Sequence, residues 1–315
     1  MRLLVINNKS SGLGDNAIYD FLRIIISEGD EAVIRTVSPG CKMETLVADA
    51  ESFDFVVASG GDGTVTSVCY ALRYRDVPVL PFPAGTGNLL STNLSSPTEP
   101  RAIAEMAKAR NIEQYDLAEL EFTDESGEHR IEGFSIMAGA GYDAMIMGGA
   151  NGYKSMFGQG AYYLSALMTE RPQKAKITLT IDGERYTTSG IAVILVNFAK
   201  ISPDLAVTHV NDAQDGLLEA VVLKADRRLQ LAPALFAAFL DRRGQHPSRT
   251  DAMEIYAGHE IEIEASPALP IQFDGEIAHA MTPMRARSLP KALTAIIDEE
   301  EIARLQMLKE LDGEE

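Results

Sequence analysis

The chain has no tryptophan, only two cysteines and no long uninterrupted apolar segment. Cys41 and Cys69 are far apart in the sequence, so they predict neither a disulfide framework nor a cysteine metal site, and a reducing cytoplasm is the simple expectation. No segment approaches the roughly 18 consecutive apolar residues of a transmembrane helix. Met1–Ile6 reads as a strand, not as a charged start followed by an apolar stretch, so no signal peptide is expected.

Positive charge is scarce as well. The chain has 28 Lys and Arg residues against 46 Asp and Glu residues, which gives a formal net charge of −18. This excess of negative charge argues against a nucleic-acid partner and against general attraction to anionic lipid surfaces. A length of 315 residues allows two domains, and 46% hydrophobic with 23% charged residues is ordinary for a globular protein.

The most informative segment that is present is Phe53–Thr64, which reads FDFVVASGGDGT. Its apolar half is typical of a buried parallel strand. The glycines of Gly60–Thr64 permit a sharp turn and close approach to a ligand, and a helix predicted over Val65–Leu72 puts this turn at a helix N-terminus, which suits a phosphate. Asp62 would repel bare phosphate, so it indicates a divalent cation that bridges to the phosphate.

Two further Gly-rich segments follow predicted strands. Ala84–Asn88 reads AGTGN and comes after a strand expected at Val77–Pro81, and Asn8–Gly12 reads NKSSG and follows Arg2–Ile6. Each segment alone could be an ordinary solvated turn. Since the carboxyl ends of parallel strands share one edge of a sheet, the three together favour a phosphate site.

SGGDGT followed by PAGTGN resembles the catalytic domain of the diacylglycerol kinase and sphingosine kinase superfamily, and the bacterial soluble lipid kinases are the most similar in length and layout. The resemblance implies Mg²⁺ and ATP as cofactors. The residues that it implies for ATP binding are Asn8, Ser11, Gly12, Thr36, Gly60, Gly61, Asp62, Gly63, Thr64, Gly85, Thr86 and Asn88. Thr36 could equally be a plain strand-end threonine.

Strand and helix signals alternate in the first third of the chain, which predicts a parallel sheet covered on both faces. These elements are expected at Arg2–Ile6, Ala17–Ser27, Glu31–Val37, Met43–Ala50, Phe53–Ala58, Val65–Leu72, Val77–Pro81 and Pro100–Ala109. After Ile112 short strands separated by turn signals predict an antiparallel β domain of the sandwich type. These strands are expected at Asp116–Thr123, Arg130–Ala138, Lys176–Ile181, Gly190–Asn197, Leu205–His209, Leu217–Leu223, Asp251–Tyr256, Glu260–Glu264 and Ile271–Phe273, with helices at Gln159–Glu170, Leu229–Leu240 and Asp298–Leu311.

The expected fold class is therefore α/β plus all-β. A doubly wound parallel sheet, of the NAD kinase and diacylglycerol kinase type that the resemblance implies, precedes a C-terminal antiparallel β-sandwich. Residues 1–112 with 290–315 are expected to form the nucleotide-binding domain, and residues 113–289 the substrate domain.

Asp274-Gly275-Glu276 follows a short predicted strand. The resemblance implies that Glu276 is the general base toward a lipid hydroxyl, with Asp274 as a supporting catalytic residue and Asp62 serving the phosphates. An alcohol that attacks a γ-phosphate needs a group to accept its proton, which fits this assignment. Without the resemblance, Asp-Gly would indicate a hairpin turn.

Asp215-Gly216-Leu217 resembles a segment that binds a second Mg²⁺ in bacterial members of the family. The implied ligands are the Asp215 carboxylate and the backbone carbonyls of Asp212 and Leu217, and oxygen ligands of this kind suit Mg²⁺. A simple turn before a strand is the alternative. Asp116 stands at the entry to the second domain, where it is expected to link this metal to the active site, and Gly139–Ala144 is expected to shape the site.

These observations predict an ATP-dependent lipid kinase of phospholipid metabolism that phosphorylates the hydroxyl of diacylglycerol or a related lipid. Two alternatives stay open, an NAD kinase-like enzyme and a nucleotide-binding regulatory protein with impaired turnover. The second is kept open by Thr66 and Ser67, because the family usually has Asn and Glu after GGDGT.

The expected partners are a nucleotide and a lipid at a membrane surface, with no nucleic acid and with a homodimer left open. The protein is expected in the cytoplasm, with peripheral membrane contact. Leu229–Leu240 is an apolar segment that is predicted to lie on a membrane or to pack on the β domain. The basic residues that flank it are Lys224, Arg227, Arg228, Arg242, Arg243 and Arg249.

Overall fold

The computed structural model describes residues 1–10, 16–141, 174–202, 205–208, 211–224, 253–299, 301–303 and 305. The chain divides into two compact units. Met1–Tyr115 with Lys291–Glu315 forms the first unit, and Asp116–Pro290 forms the second.

The elements of the first third are β1 (Arg2–Asn7), α1 (Ala17–Ser27), β2 (Glu31–Thr36), α2 (Met43–Leu46), β3 (Phe55–Gly60), α3 (Asp62–Ala71), β4 (Val79–Pro83), α4 (Leu89–Asn93) and α5 (Pro100–Ala109), with one 3-10 turn at Ala50–Ser52. The strands that follow are β5 (Ile112–Asp124), β6 (His129–Phe134), β7 (Met137–Gly141), β8 (Ala175–Ile181), β9 (Glu184–Gly190), β10 (Ala192–Val196), β11 (Lys200–Ser202), β12 (Leu205–Ala206), β13 (Leu218–Leu223), β14 (Met253–Gly258), β15 (Glu260–Ser266), β16 (Pro270–Phe273) and β17 (Glu276–Ile296).

The first unit is built on a parallel sheet with the order β2-β1-β3-β4, and the end of β17 joins it where Ala295 pairs with Val79. Helices α1 and α5 cover one face of this sheet, because apolar side chains at helical spacing meet apolar side chains of the strands. That core includes Ile18, Phe21, Leu22 and Ile25 of α1, Ile103 and Met106 of α5, and Leu3, Val5, Phe55, Val57, Leu80 and Phe82 of the sheet. Helix α3 packs on β3, and the arrangement confirms the predicted doubly wound parallel sheet.

The second unit is a sandwich of antiparallel strands. One layer has the order β14-β13-β10-β7-β16-β17, and the other contains β6-β5, β5-β17, β17-β15, β15-β8 and β8-β9 pairs, so β17 takes part in both layers. Alternate residues of each strand point into a shared apolar core. Members from both layers are Leu120, Phe122, Phe134, Ile177, Leu179, Val193, Leu195, Leu218, Val222, Ile261, Ile263, Ile271 and Met284, and the arrangement confirms the predicted sandwich.

Several local expectations were wrong. The strand expected over Leu205–His209 ends at Ala206. Helix α3 begins at Asp62 and not at Val65, because Gly61 takes the extended cap conformation and its carbonyl accepts the N–H groups of Thr64 and Val65. Helix α2 ends at Leu46. The strand expected over Arg130–Ala138 is two strands, β6 and β7, that are separated at Ser135 and Ile136.

Among the described residues, no helix is long and apolar enough to cross a membrane. The predicted helices Gln159–Glu170 and Leu229–Leu240 lie outside the described residues, as do Asp143, Ala144 and most of Asp298–Leu311.

Candidate functional site

The turn after β1 is held by Asn8. Its backbone N–H donates to the Ser59 carbonyl at the end of β3 (2.9 Å), and its Nδ2 donates to the Thr64 Oγ1 atom (2.8 Å). Its Oδ1 accepts the N–H of Ser10 at 3.1 Å, a local bond that fixes the turn. The first Gly-rich segment is therefore tied directly to the GGDGT segment. Ser11 and Gly12 lie outside the described residues.

Asp62 stands in the first turn of α3, where the helix dipole favours a carboxylate. Its Oδ1 accepts the backbone N–H of Leu89, the first residue of α4, at 2.6 Å. One carboxylate thus lies at the N-termini of two helices. The bond also joins the GGDGT segment to the AGTGN segment that precedes Leu89.

The AGTGN segment packs backbone to backbone against GGDGT. A Cβ atom on Gly85 would lie 2.7 Å from the Gly61 Cα and 3.1 Å from the Gly60 carbonyl oxygen, so only glycine fits. Asn88 has a φ of +53° and exchanges two hydrogen bonds with Gly85, from the Gly85 N–H to Oδ1 (2.8 Å) and from Nδ2 to the Gly85 carbonyl (2.9 Å). These bonds close the loop around Thr86.

Thr36, the last residue of β2, is exposed and pairs in register with Asn7 at the same carboxyl edge of the sheet. Thr66 is buried, and the Ser67 hydroxyl donates to the Gly63 carbonyl one turn earlier in α3 (2.7 Å). At these two positions, where the resemblance implies an amide and a carboxylate, this chain therefore has two short hydroxyl side chains.

A buried acid near the chain end was not found from the sequence. Glu301 is fully buried, and its carboxylate accepts the Ser95 hydroxyl at 2.9 Å and the Tyr115 hydroxyl at 3.4 Å. Ser95 lies just after α4, the helix whose first N–H donates to Asp62. The bond to Ser95 therefore joins Glu301 to the segment that follows this helix. No local pattern predicts a bond between residues 206 positions apart.

In the second unit, Asp274-Gly275 forms a two-residue hairpin between β16 and β17, in which Phe273 pairs with Glu276. Asp274 and Gly275 have φ values of +40° and +87°, as this kind of tight hairpin requires. The Asp274 carboxylate accepts the N–H groups of Ser135, Ile136 and Met137 at 2.8, 2.9 and 3.0 Å and the Ser135 hydroxyl at 3.1 Å. Asp274 therefore fastens the hairpin to the segment between β6 and β7.

Glu276 follows this hairpin and its side chain is exposed. Glu132 of β6 lies near it. Burial raises the pKa of the Glu132 carboxyl, the charge of Arg130 opposes this, and the charge of Glu276 adds to it. Glu276 is therefore exposed to solvent next to the Glu132 carboxyl.

The turn before β13 is fixed by Asp116. Its carboxylate accepts the Gly216 N–H at 2.6 Å, and its own N–H donates to the Ala213 carbonyl at 2.8 Å. Asp215 accepts the Leu217 N–H at 2.8 Å, and its own N–H reaches the Asp212 carbonyl only at 3.5 Å. Asp212, Asp215 and Leu217 are therefore brought together in one turn.

The residues of this turn fit the Mg²⁺ that the family implies. Burial raises the pKa of the Asp215 carboxyl, and the nearby charge of Asp212 adds to the rise. The Oε2 atom of Glu219, two residues beyond Leu217, is buried and has no hydrogen-bond partner in the described part of the chain. Closely spaced acids of this kind favour a cation. No group of three or more His, Cys, Asp or Glu side chains in the described ranges forms a complete metal cluster, so backbone oxygens would have to contribute.

Comparison with known proteins identifies both units. Residues 2–120 match the diacylglycerol kinase catalytic domain, and residues 136–297 match the YegS C-terminal NAD kinase beta sandwich-like domain. The chain belongs to the family of diacylglycerol and YegS-like lipid kinases. The resemblance noted from SGGDGT and PAGTGN is thereby confirmed.

Relatives of this lipid kinase family match along most of the chain. A diacylglycerol kinase of Mycobacterium tuberculosis is 26% identical over 255 residues, which is 79% of this chain and 78% of that protein. An uncharacterised protein of Synechocystis, sll0036, is 28% identical over 78% of this chain, and this chain spans about half (55%) of its length.

Solved structures show the same fold. A diacylglycerol kinase from Bacillus anthracis superposes with a TM-score of 0.70 at 22% identity, covering 95% of this chain and 97% of that one. Yeast NADH kinase superposes with a TM-score of 0.56 at 13% identity, covering 99% of this chain and 88% of that one. The chain therefore shares its fold with the kinase from Bacillus anthracis and with yeast NADH kinase.

Proposed function

We propose that this protein transfers the γ-phosphate of ATP to the hydroxyl of a lipid, diacylglycerol or a closely related alcohol, with Mg²⁺. The observation that carries the proposal is the joined pair of Gly-rich segments at one sheet edge, in which the Asp62 carboxylate accepts the Leu89 N–H and Gly85 lies against Gly61. The names of relatives, diacylglycerol kinase in Mycobacterium tuberculosis and putative lipid kinase in Staphylococcus haemolyticus, support the choice of acceptor.

In this proposal the first unit binds the nucleotide. The N-termini of α3 and α4 favour phosphate oxygens, and Asn8, Thr64 and Asn88 hold the segments in place. Mg²⁺, when bound, would neutralise charge on the transferring phosphates, and Asp62 is the residue of these segments that would hold it.

The second unit supplies the proton acceptor. Glu276 is exposed and has the carboxylate needed to take the proton of an attacking hydroxyl. Asp274 is bonded through both carboxylate oxygens to Ser135, Ile136 and Met137, so we assign it the positioning of Glu276. Asp215, with the carbonyls of Asp212 and Leu217, would hold a second Mg²⁺ that stabilises the turn.

The test is to incubate the purified protein with ATP labelled at the γ-phosphate, Mg²⁺ and mixed micelles that contain diacylglycerol, a glycerophospholipid or a sphingoid alcohol. Label in a lipid product is expected, and NAD serves as the control acceptor. If label is found in NADP and in no lipid, the NAD kinase-like activity is the correct one and the lipid kinase proposal is wrong.

A nucleotide-binding protein without turnover is the second candidate, and the Ser67–Gly63 bond favours it because no acid stands at that position of α3. Both candidates predict that Mg-ATP raises the melting temperature. Nucleotide stabilisation with no labelled product from any acceptor would select the second candidate.

A further inference from the structure

One acid of the second unit has no role in the proposed reaction. Glu219 is the second residue of β13 and is 7% exposed. Its neighbours Leu218 and Ala220 point into the sandwich core, so Glu219 lies on the opposite face of the strand. There it is paired in register with Val196 of β10.

The Glu219 carboxylate is only half satisfied. It accepts a hydrogen bond from Thr208, which is also buried, whereas Oε2 is buried with no partner among the residues that the structure describes. A buried carboxylate oxygen without a partner is costly unless a cation or a donor meets it. Buried groups of this kind therefore call for an explanation.

A second carboxylate lies nearby. Asp215 is four residues earlier, in the turn that leads into β13, and it is close enough for its charge to act on Glu219. Across the described ranges, no Lys or Arg forms an ion pair with either acid. His259 lies close enough to Asp215 to interact with it electrostatically, but it forms no ion pair with either acid in the described part of the chain. Two neighbouring carboxylates, one of them with an unpaired oxygen, fit a divalent cation.

We propose that Glu219 contributes its Oε2 atom to the divalent cation of the Asp212–Leu217 turn, as a second carboxylate beside Asp215. This inference rests on the metal site of the proposed function, to which it adds an acid from the β13 strand. The cation would then join the turn to the sheet. Two carboxylates balance the charge of one divalent ion, and hard oxygen ligands suit Mg²⁺.

The test measures Mg²⁺ binding to the full chain without nucleotide, by isothermal titration and by the melting temperature with Mg²⁺ against EDTA. Three variants are compared with the parent, namely Glu219→Gln, Asp215→Asn and the matched control Glu262→Gln, an exposed acid of β15 in the same unit. Glu219→Gln is expected to weaken Mg²⁺ binding at least tenfold, while its melting temperature in EDTA stays at or above that of the parent. Glu262→Gln should leave binding unchanged.

Adding Glu219→Gln to Asp215→Asn should lower the affinity by much less than the product of the two single effects, because both acids bind one ion. If Glu219→Gln folds poorly, Glu219→Asp, which keeps the charge on a shorter side chain, should still weaken binding. A Glu219→Gln affinity within twofold of the parent, or a parent that does not bind Mg²⁺, overturns the inference. Lipid phosphorylation is assayed separately. Activity of the parent without an effect of Glu219→Gln on Mg²⁺ binding would overturn only this inference. Weakened Mg²⁺ binding by Glu219→Gln in a protein without lipid kinase activity would overturn only the proposed function.

Discussion

At the scale of single residues, Asp62 combines a charge with a structural bond, and the two can be separated. Asp62→Asn keeps an oxygen that can accept the Leu89 N–H but removes the charge, whereas Asp62→Ala removes both. We expect Asp62→Asn to lower the turnover of phosphoryl transfer about 100-fold or more with little change in melting temperature, because preorganised charge at the phosphates is lost. Asp62→Ala should also lower the melting temperature.

The measurement is lipid phosphorylation at saturating ATP together with thermal unfolding. Ser67→Ala is the matched control in the same helix, since its hydroxyl only bonds to the Gly63 carbonyl. Turnover of Asp62→Asn close to that of the parent would remove Asp62 from the reaction.

Two substitutions can likewise separate the structural role of Asp274 from the proposed catalytic role of Glu276. Asp274→Ala removes four hydrogen bonds that hold the hairpin, so we expect it to lower the free energy of unfolding by about 2–4 kcal/mol. Glu276→Gln is exposed and should unfold like the parent but lose about 100-fold or more in turnover, as for a missing general base.

Urea unfolding and steady-state kinetics of both variants check this division. Full activity of Glu276→Gln would exclude it as the base, and parental stability of Asp274→Ala would show that the hairpin holds without its anchor.

The side chains of the site could be predicted from sequence much better than their partners. Asp62, Asn8 and Asp274 stand in segments that the sequence singles out. The bonds from Asp62 to Leu89 and from Asp274 to Ser135 join positions 27 and 139 residues apart. Only the packed fold determines such bonds.

At the scale of elements, the spacing of apolar residues predicted those helices well whose apolar face packs on the sheet. Helices α1 and α5 were predicted with the bounds that they have, because their apolar faces are regular. Helix α4 was missed because its five residues have no period, and its start is set by Asn88 and by the bond to Asp62. Helix α2 is shorter than predicted, since Asp49 turns to form a two-fold ion pair with Arg35.

Strand β17 was missed over most of its 21 residues. Its buried side chains include the small or polar Ala280, Thr282, Ala286 and Ser288, and Pro283 and Pro290 interrupt it, so its hydrophobic alternation is weak. Its pairing with β15 and β16 shows that neighbouring strands, and not its own propensity, determine it.

The contact between the two Gly-rich segments gives a prediction at this scale. Gly85→Ala would place a methyl group 2.7 Å from the Gly61 Cα, which is backbone and has little freedom to move. We expect a loss of about 1–3 kcal/mol in the free energy of unfolding and a marked loss of ATP affinity, since the segments must separate.

Gly40→Asn is the control, because Gly40 has no atom within 4 Å of its Cβ position and asparagine tolerates its φ of +76°. Thermal unfolding and ATP titration compare the two variants. Parental ATP affinity in Gly85→Ala would mean that the segments need not touch for the nucleotide to bind.

At the scale of the whole molecule, the proposed function requires a chain with a net charge of −18 to bind a lipid substrate. Anionic membranes repel such a protein, so contact requires a local excess of positive charge. The residues around Leu229–Leu240 carry that excess in the sequence, and the flanking Lys224, which the structure describes, forms an ion pair with Glu254.

We expect the double reversal Arg242→Glu with Arg243→Glu to weaken binding to anionic vesicles at least about tenfold at low salt, because each basic residue near such a surface contributes about 1 kcal/mol. The difference should shrink as salt is raised, since exposed charges are screened. Vesicle sedimentation over a series of salt concentrations measures both effects.

The matched control is Arg23→Glu with Arg185→Glu, which changes the net charge equally on two exposed side chains, one in α1 and one in β9. If net charge alone governs binding, the two double variants should weaken it equally. If the Arg-flanked segment is the membrane contact, only the first variant should do so. Unchanged vesicle binding by Arg242→Glu with Arg243→Glu would show that this segment does not contact the membrane, and the lipid would then have to be reached by another surface of the protein.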